Sequence, residues 1–151
     1  MVSYGASRVI NAPIKYVYDW ATDFREDDNS FWDGGLPRII LLKSKAKCVY
    51  AQYNEGSDGK PKLAVGIVTM RPSKYSWHLD YYAEEDMETG EYRLSKLGKD
   101  RTKLTMSFKN FRKINGEGPS KKEFQDGTTE LWEIYAAALE SDYASGKRAK
   151  S

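Results

Sequence analysis

Arg8 is the fourth of five alternating residues, Val2, Tyr4, Ala6, Arg8 and Ile10, that share one face of an extended opening segment. If that face is buried, Arg8 points inward and needs an anionic partner, either a protein carboxylate or a ligand's, because an unpaired buried guanidinium is costly. At a frayed edge it would lie in water. His78 is the sole histidine and the one side chain whose unperturbed pKa suits proton transfer near neutrality. It lies opposite Trp77 and Leu79 and shares its face with Ser76 and Asp80. That placement predicts an exposed or cross-strand hydrogen-bonded histidine, and an oriented His78–Asp80 pair only in the reverse register. Cys48, also alone of its kind, has no second histidine to activate it and reads as a small core or surface residue. One cysteine and one histidine exclude an internal disulfide and a soft zinc or iron-sulfur ligand set. The acidic runs Glu26–Asp27–Asp28 and Glu84, Glu85, Asp86 and Glu88 lack the spaced ligands and turn glycine of a calcium loop and read as solvated turns. No cofactor is expected.

A second group is aromatic and apolar. Trp77, Tyr81, Tyr92, Phe108, Trp132 and Tyr135, with Met106 and Leu139, fall on faces expected to look inward. They would either line a pocket or simply pack a sheet on a helix. Trp32, beside Gly34–Gly35, would stand on a gate or in a plain turn. Lys43, Lys45 and Lys47 alternate, followed by Lys60 and Lys62, so one outer face is expected to be basic, as edge strands often are. Gly56–Pro61 lacks the spacing of a phosphate loop and reads as a hairpin tip.

These residues must be positioned by one domain. The chain has 151 residues, 40% hydrophobic, 30% charged and 13% aromatic, which is ample for one core. The net charge of +2 gives no general footprint for nucleic acid or an anionic membrane. The sequence has no stretch near the ~20 apolar residues of a membrane span and no signal-peptide layout at Met1–Tyr4, so a soluble cytoplasmic protein, monomer or homodimer, is expected. The single domain is expected over residues 1–145, with a basic, frayed tail at 146–151.

Along the chain, residues 2–11 read as a strand, and Pro13, with Asn11 or Ala12 as cap, opens a helix carrying Ile14, Val17, Tyr18 and Ala21 on one face. A second short helical piece follows near Phe31–Trp32. From Leu36 to Phe111 the pattern is a meander of strands, with turns at 54–61, at 71–73 and at 98–101 and a strand beginning at Tyr75. Ser120 and Glu123 have capping-box spacing. The helix that follows carries Phe124, Thr128, Leu131, Trp132, Tyr135, Ala138, Leu139 and Tyr143 in one stripe, with Gly127 as a kink or as its true start.

Four places resemble the START-like SRPBCC superfamily, the helix-grip proteins that include polyketide cyclases, lipid-transfer domains and plant pathogenesis-related allergens. They are Asn11–Tyr18 after the first strand, Arg71–Trp77, the hairpin from Tyr92–Leu94 to Arg101–Thr105, and the helix Leu131–Tyr143. The resemblance implies an α+β fold, a curved antiparallel sheet of about seven strands around a long C-terminal helix, with one or two short helices after the first strand. It also implies a cavity between sheet and helix for a small hydrophobic or aromatic molecule, with Arg8, Trp32 and the inward aromatics as its contacts. Two rivals stay open, a cofactor-independent cyclase, dehydratase or hydrolase using the same cavity, and a co-chaperone-like interaction domain using the outer surface. A convergent polar set inside the cavity would favour the enzyme.

Overall fold

The computed structural model describes residues 2–28, 37–55, 58–83, 87–110 and 121–147. The elements are β1 (Val2–Ile10), α1 (Ile14–Thr22), β2 (Ile39–Lys43), β3 (Lys47–Glu55), β4 (Pro61–Arg71), β5 (Ser76–Ala83), β6 (Met87–Gly98), β7 (Arg101–Asn110) and α2 (Lys121–Ala144), with a 3-10 turn at Pro72–Lys74. Among the described residues the strands form one antiparallel sheet in the order β1-β7-β6-β5-β4-β3-β2. The chain therefore crosses from one sheet edge to the other between β1 and β2, and α1 lies on that crossing.

Alternation decides which face is buried. On β7, Thr102, Leu104, Met106, Phe108 and Asn110 are buried while Lys103, Ser107 and Lys109 are exposed. The partners of these inward residues on β1, Tyr4, Ala6, Arg8 and Ile10, project to the same face. Against it α2 places Trp132, Ala136 and Leu139, spaced so that all three fall on one helical face. Ala136 is fully buried and Ala138 only partly, so the buried stripe lies slightly to one side of the one read from the sequence. Ile10, Val17, Cys48, Val68, Leu104 and Leu139 make the fully enclosed centre. Thr102 joins it because its hydroxyl donates to the Ala12 carbonyl at 2.8 Å, tying the start of α1 to β7.

The last turn of α2 ends at Gly146, whose φ of 73° suits a residue without Cβ. Its N–H donates to the Tyr143 carbonyl and that of Lys147 to the Asp142 carbonyl, the paired bonds of a Schellman cap. The Lys147 carbonyl in turn accepts from the Tyr16 hydroxyl at 2.9 Å, fixing α1 to the end of α2.

Several local expectations are corrected. Pro13 itself caps α1, without a side-chain cap bond, and the Asn11 N–H goes instead to Glu140 on α2. Tyr75 does not begin β5. It sits in left-handed conformation with φ 47°, closing the Pro72–Lys74 turn. Gly127 is not the start of α2, which begins six residues earlier and runs through it. Lys43, Lys45 and Lys47 do not alternate along one strand. Lys43 ends β2, Lys47 begins β3, and the Ser44 hydroxyl oxygen between them accepts the N–H groups of Ala46 and Lys47. The Phe31–Trp32 helical piece, Ser120 of the capping box and the acidic residues 84–86 lie outside the described residues, as do Phe124's side chain and positions 148–151 of the tail.

Candidate functional site

α2 packs chiefly on β1 and α1. Between it and the rest of the curved sheet lies a cavity of about 930 Å³, within the usual size of a small-molecule site.

One wall is aromatic. Trp77 and Tyr92 are cross-strand partners on β5 and β6, and their rings stack at 4.9 Å and 5°. Tyr92 continues to Phe108 at 5.5 Å, edge to face, and to Trp132 of α2 at 5.7 Å, which meets Tyr135 at 5.4 Å. Such offset and edge contacts are favourable because the electropositive ring edge meets an electronegative face.

The opposite end is polar and is built around Arg38. This residue precedes β2 on the same inward alternation as Ile40, and its side chain is only 7% exposed. Its Nη1 donates to Asp28 Oδ2 at 2.9 Å, and its Nε donates to Gln52 Oε1 at 3.3 Å. Its guanidinium lies 4.1 Å from the centre of the Tyr50 ring, and it also hydrogen-bonds the Tyr135 side chain. Gln52 Nε2 donates to the Tyr81 hydroxyl at 3.3 Å, so one guanidinium organises residues from β3, β5, α2 and the loop after α1. Behind it Lys43 Nζ donates to Asp23 Oδ1 at 2.8 Å and to the Phe24 carbonyl.

The electrostatics follow from burial. Burial pushes the Tyr135 hydroxyl up to about 12 despite nearby Arg38, and raises Tyr50 and Tyr92 as well. These phenols stay protonated near neutrality and act as hydrogen-bond donors rather than bases. Burial also raises the Asp28 carboxyl, against the Arg25 N–H and the cations of Arg38 and Arg25 that lower it.

Tyr50 can lie flat on the sheet because its cross-strand partner is Gly66. A Cβ there would fall 2.2 Å from the Tyr50 ring. Gly66→Ala is therefore expected to cost about 1–3 kcal/mol by overpacking and to drive the ring toward Arg38. Gly98→Ala, where a Cβ meets nothing within 4 Å, is the control, expected to change stability by less than about 0.5 kcal/mol. Thermal unfolding of the two variants measures this, and equal midpoints would mean that Tyr50 does not lean on Gly66.

Of the residues singled out from the sequence, Trp77, Tyr81, Tyr92, Phe108, Trp132 and Tyr135 line the cavity. Met106 and Leu139 are buried in the core behind it, at 3% and 0% exposure. Arg8 faces inward but outside the lining, where its partner is Glu133 of α2 at 3.8 Å. Trp32 lies outside the described residues. His78 is on the outer face and cross-strand bonded to Glu91 as expected, and the pair with Asp80 forms there without any reversal of register, the ring nitrogens lying 2.5 Å from Glu91 and 2.8 Å from Asp80. Burial alone would lower its pKa, and the two carboxylates outweigh that and raise it. Cys48 is buried and free. Among the described residues no group of three or more His, Cys, Asp or Glu side chains is placed to hold a metal.

Arg38, Gln52 and Asp28 were missed by sequence reading. Asp28 is not a solvated turn residue like Asp27, which is 68% exposed; its own side chain is 15% exposed and also accepts the Arg25 N–H at 2.9 Å. The signal for Arg38 was its period-2 relation to Ile40.

No family model matches the sequence, and no curated protein matches it. Solved structures do. The chain superposes on the Zhui aromatase/cyclase from Streptomyces sp. R1128 with a TM-score of 0.79 at 13% identity, covering 96% of this chain and 98% of that one. A START superfamily protein from Mycobacterium smegmatis gives 0.73 at 15% identity, covering 92% and 97%. Ara h 8.0201 gives 0.69 at 13% identity, covering 95% and 97%. At such identities the likeness is one of fold. The chain has a START-like, helix-grip fold.

Proposed function

We propose that this protein binds a small aromatic molecule between its sheet and α2, with the ring system against Trp77, Tyr92 and Trp132 and a polar group held near Arg38. The observation that carries this reading is the aromatic wall of a cavity of about 930 Å³, with Trp77 stacked on Tyr92 and Tyr92 against Trp132. Flat rings match flat walls, and a few placed donors fix orientation. Fold alone does not choose a ligand. The names of the neighbours, an aromatase/cyclase among them, are compatible with this reading.

A second reading is a cofactor-independent cyclase or dehydratase, and it is favoured by the same convergence of Arg38, Tyr81, Tyr135 and Asp28. A carbonyl oxygen placed there would meet protonated phenols and a guanidinium, donors suited to negative charge developing on that oxygen.

Native mass spectrometry of protein purified gently from its own host, followed by extraction, tests the binding reading. The expected result is an aromatic compound at about one per chain, released by mild denaturation. Protein that is empty and does not quench its tryptophan fluorescence with N-phenyl-1-naphthylamine would overturn it. Turnover of the extracted compound would decide for the enzyme.

A further inference from the structure

We propose, resting on the binding reading above, that the cavity selects uncharged aromatic ligands and rejects anionic ones, whether carboxylates, sulfonates or phosphates. The cations that line it among the described residues are Arg25, Arg38 and Lys147, and each already faces a protein carboxylate. Arg38 lies 2.9 Å from Asp28, and Lys147 lies 3.5 Å from Asp142. Arg25 has Asp27 at 3.5 Å, Asp23 at 3.6 Å and Asp28 at 4.0 Å. The ammonium of Lys43, just behind, is held by Asp23. Among the described residues the lining carries five carboxylates beside these three cations, Asp23, Asp27, Asp28, Glu88 and Asp142.

An anionic head brought to Arg38 would therefore share it with Asp28, while Asp23 and Asp27 stand around the neighbouring Arg25. Like charges at such separations disfavour the site, the more so where water is partly excluded. Displacing Asp28 to free Arg38 would strand a carboxylate whose side chain is 15% exposed. An uncharged carbonyl or phenol meets no such conflict, since the Tyr81 and Tyr135 hydroxyls and the Gln52 amide form hydrogen bonds without net charge. This separates aromatic ketones, phenols and quinones from aromatic carboxylic acids, although both would satisfy the aromatic wall.

Two probes share one ring framework, uncharged N-phenyl-1-naphthylamine and its sulfonated relative 8-anilinonaphthalene-1-sulfonate. Their dissociation constants, measured by fluorescence as salt rises from about 0.01 to about 0.5 M, read the sign of the field directly. Repulsion predicts that the sulfonated probe tightens by about threefold or more relative to the neutral one as salt screens the carboxylates. Asp27→Asn, at the exposed rim, is expected to tighten the sulfonated probe by a similar factor relative to the neutral one. A sulfonated probe that weakens with salt, or that is insensitive to both salt and Asp27→Asn, would overturn the proposal while leaving the cavity reading intact. If neither probe binds, the binding reading falls and takes the proposal with it.

Discussion

Replacing Arg38 by methionine is expected to cost about 3 kcal/mol at neutral pH, because it leaves the largely buried Asp28 carboxylate with only the longer 4.0 Å contact to the Arg25 cation. The Arg38 side chain is 7% exposed and bonds Asp28 directly, so solvent does little to screen the loss. The effect should depend on pH in a defined sense. The Asp28 pKa is already raised by burial, and Arg38 is one of the influences that hold it down. Removing Arg38 raises it further. A carboxyl whose folded pKa exceeds its unfolded one binds its proton more tightly when folded, so its favourable contribution is full below the unfolded pKa and is lost as pH rises through the folded one. The deficit of Arg38→Met should therefore narrow in mild acid and widen toward neutrality. Urea unfolding at about pH 5 and about pH 7 checks this, and a deficit equal at both would mean that Asp28 is not the uncompensated charge. The double variant Arg38→Met, Asp28→Leu separates support from function. Removing both charges is expected to restore much of the stability while leaving the affinity for a polar aromatic ligand low.

Trp132→Ala is expected to cost about 3–5 kcal/mol, the range for deleting a large buried aromatic side chain. Trp132 is 8% exposed and bridges the two layers, meeting Tyr92 on β6 and Tyr135 on its own helix. Its loss enlarges a cavity already lined by its neighbours. Trp132→Phe keeps a ring with less surface and should retain most of the stability while weakening a planar ligand. Thermal unfolding with and without N-phenyl-1-naphthylamine measures both effects. A Trp132→Ala protein as stable as the parent would show that α2 is held without this contact, and unchanged affinity in Trp132→Phe would remove Trp132 from the ligand's wall.

Of the two positions, only Trp132 was legible in the amino-acid sequence. The order of elements and the inward side of most strands follow from local alternation. Leu104, Met106 and Phe108 must share a face whatever the strand pairs with, and Trp77 must oppose His78. Trp132 could be placed on the inner face of a helix for the same reason. Tyr75 and the Lys43–Lys47 region depart from alternation at a left-handed residue, at a turn and where the β2–β3 register shifts between Ile40 and Leu42. At such places the backbone period no longer assigns a face.

Which charge is buried with which was decided only by the tertiary structure. Arg8 and Arg38 are both arginines on inward-facing alternations, yet Arg8 meets Glu133 of α2 with 35% of its side chain exposed, and Arg38 meets Asp28 almost fully enclosed. The difference arises because the loop after α1 folds back on β2, where the Arg38 N–H donates to the Glu26 carbonyl at 2.9 Å and sets Asp28 beside the guanidinium. No periodicity encodes that closure. Alternation and helical spacing are properties of a few adjacent residues, whereas the cavity and its polar end exist only once β3, β5, α2 and this loop converge on Arg38.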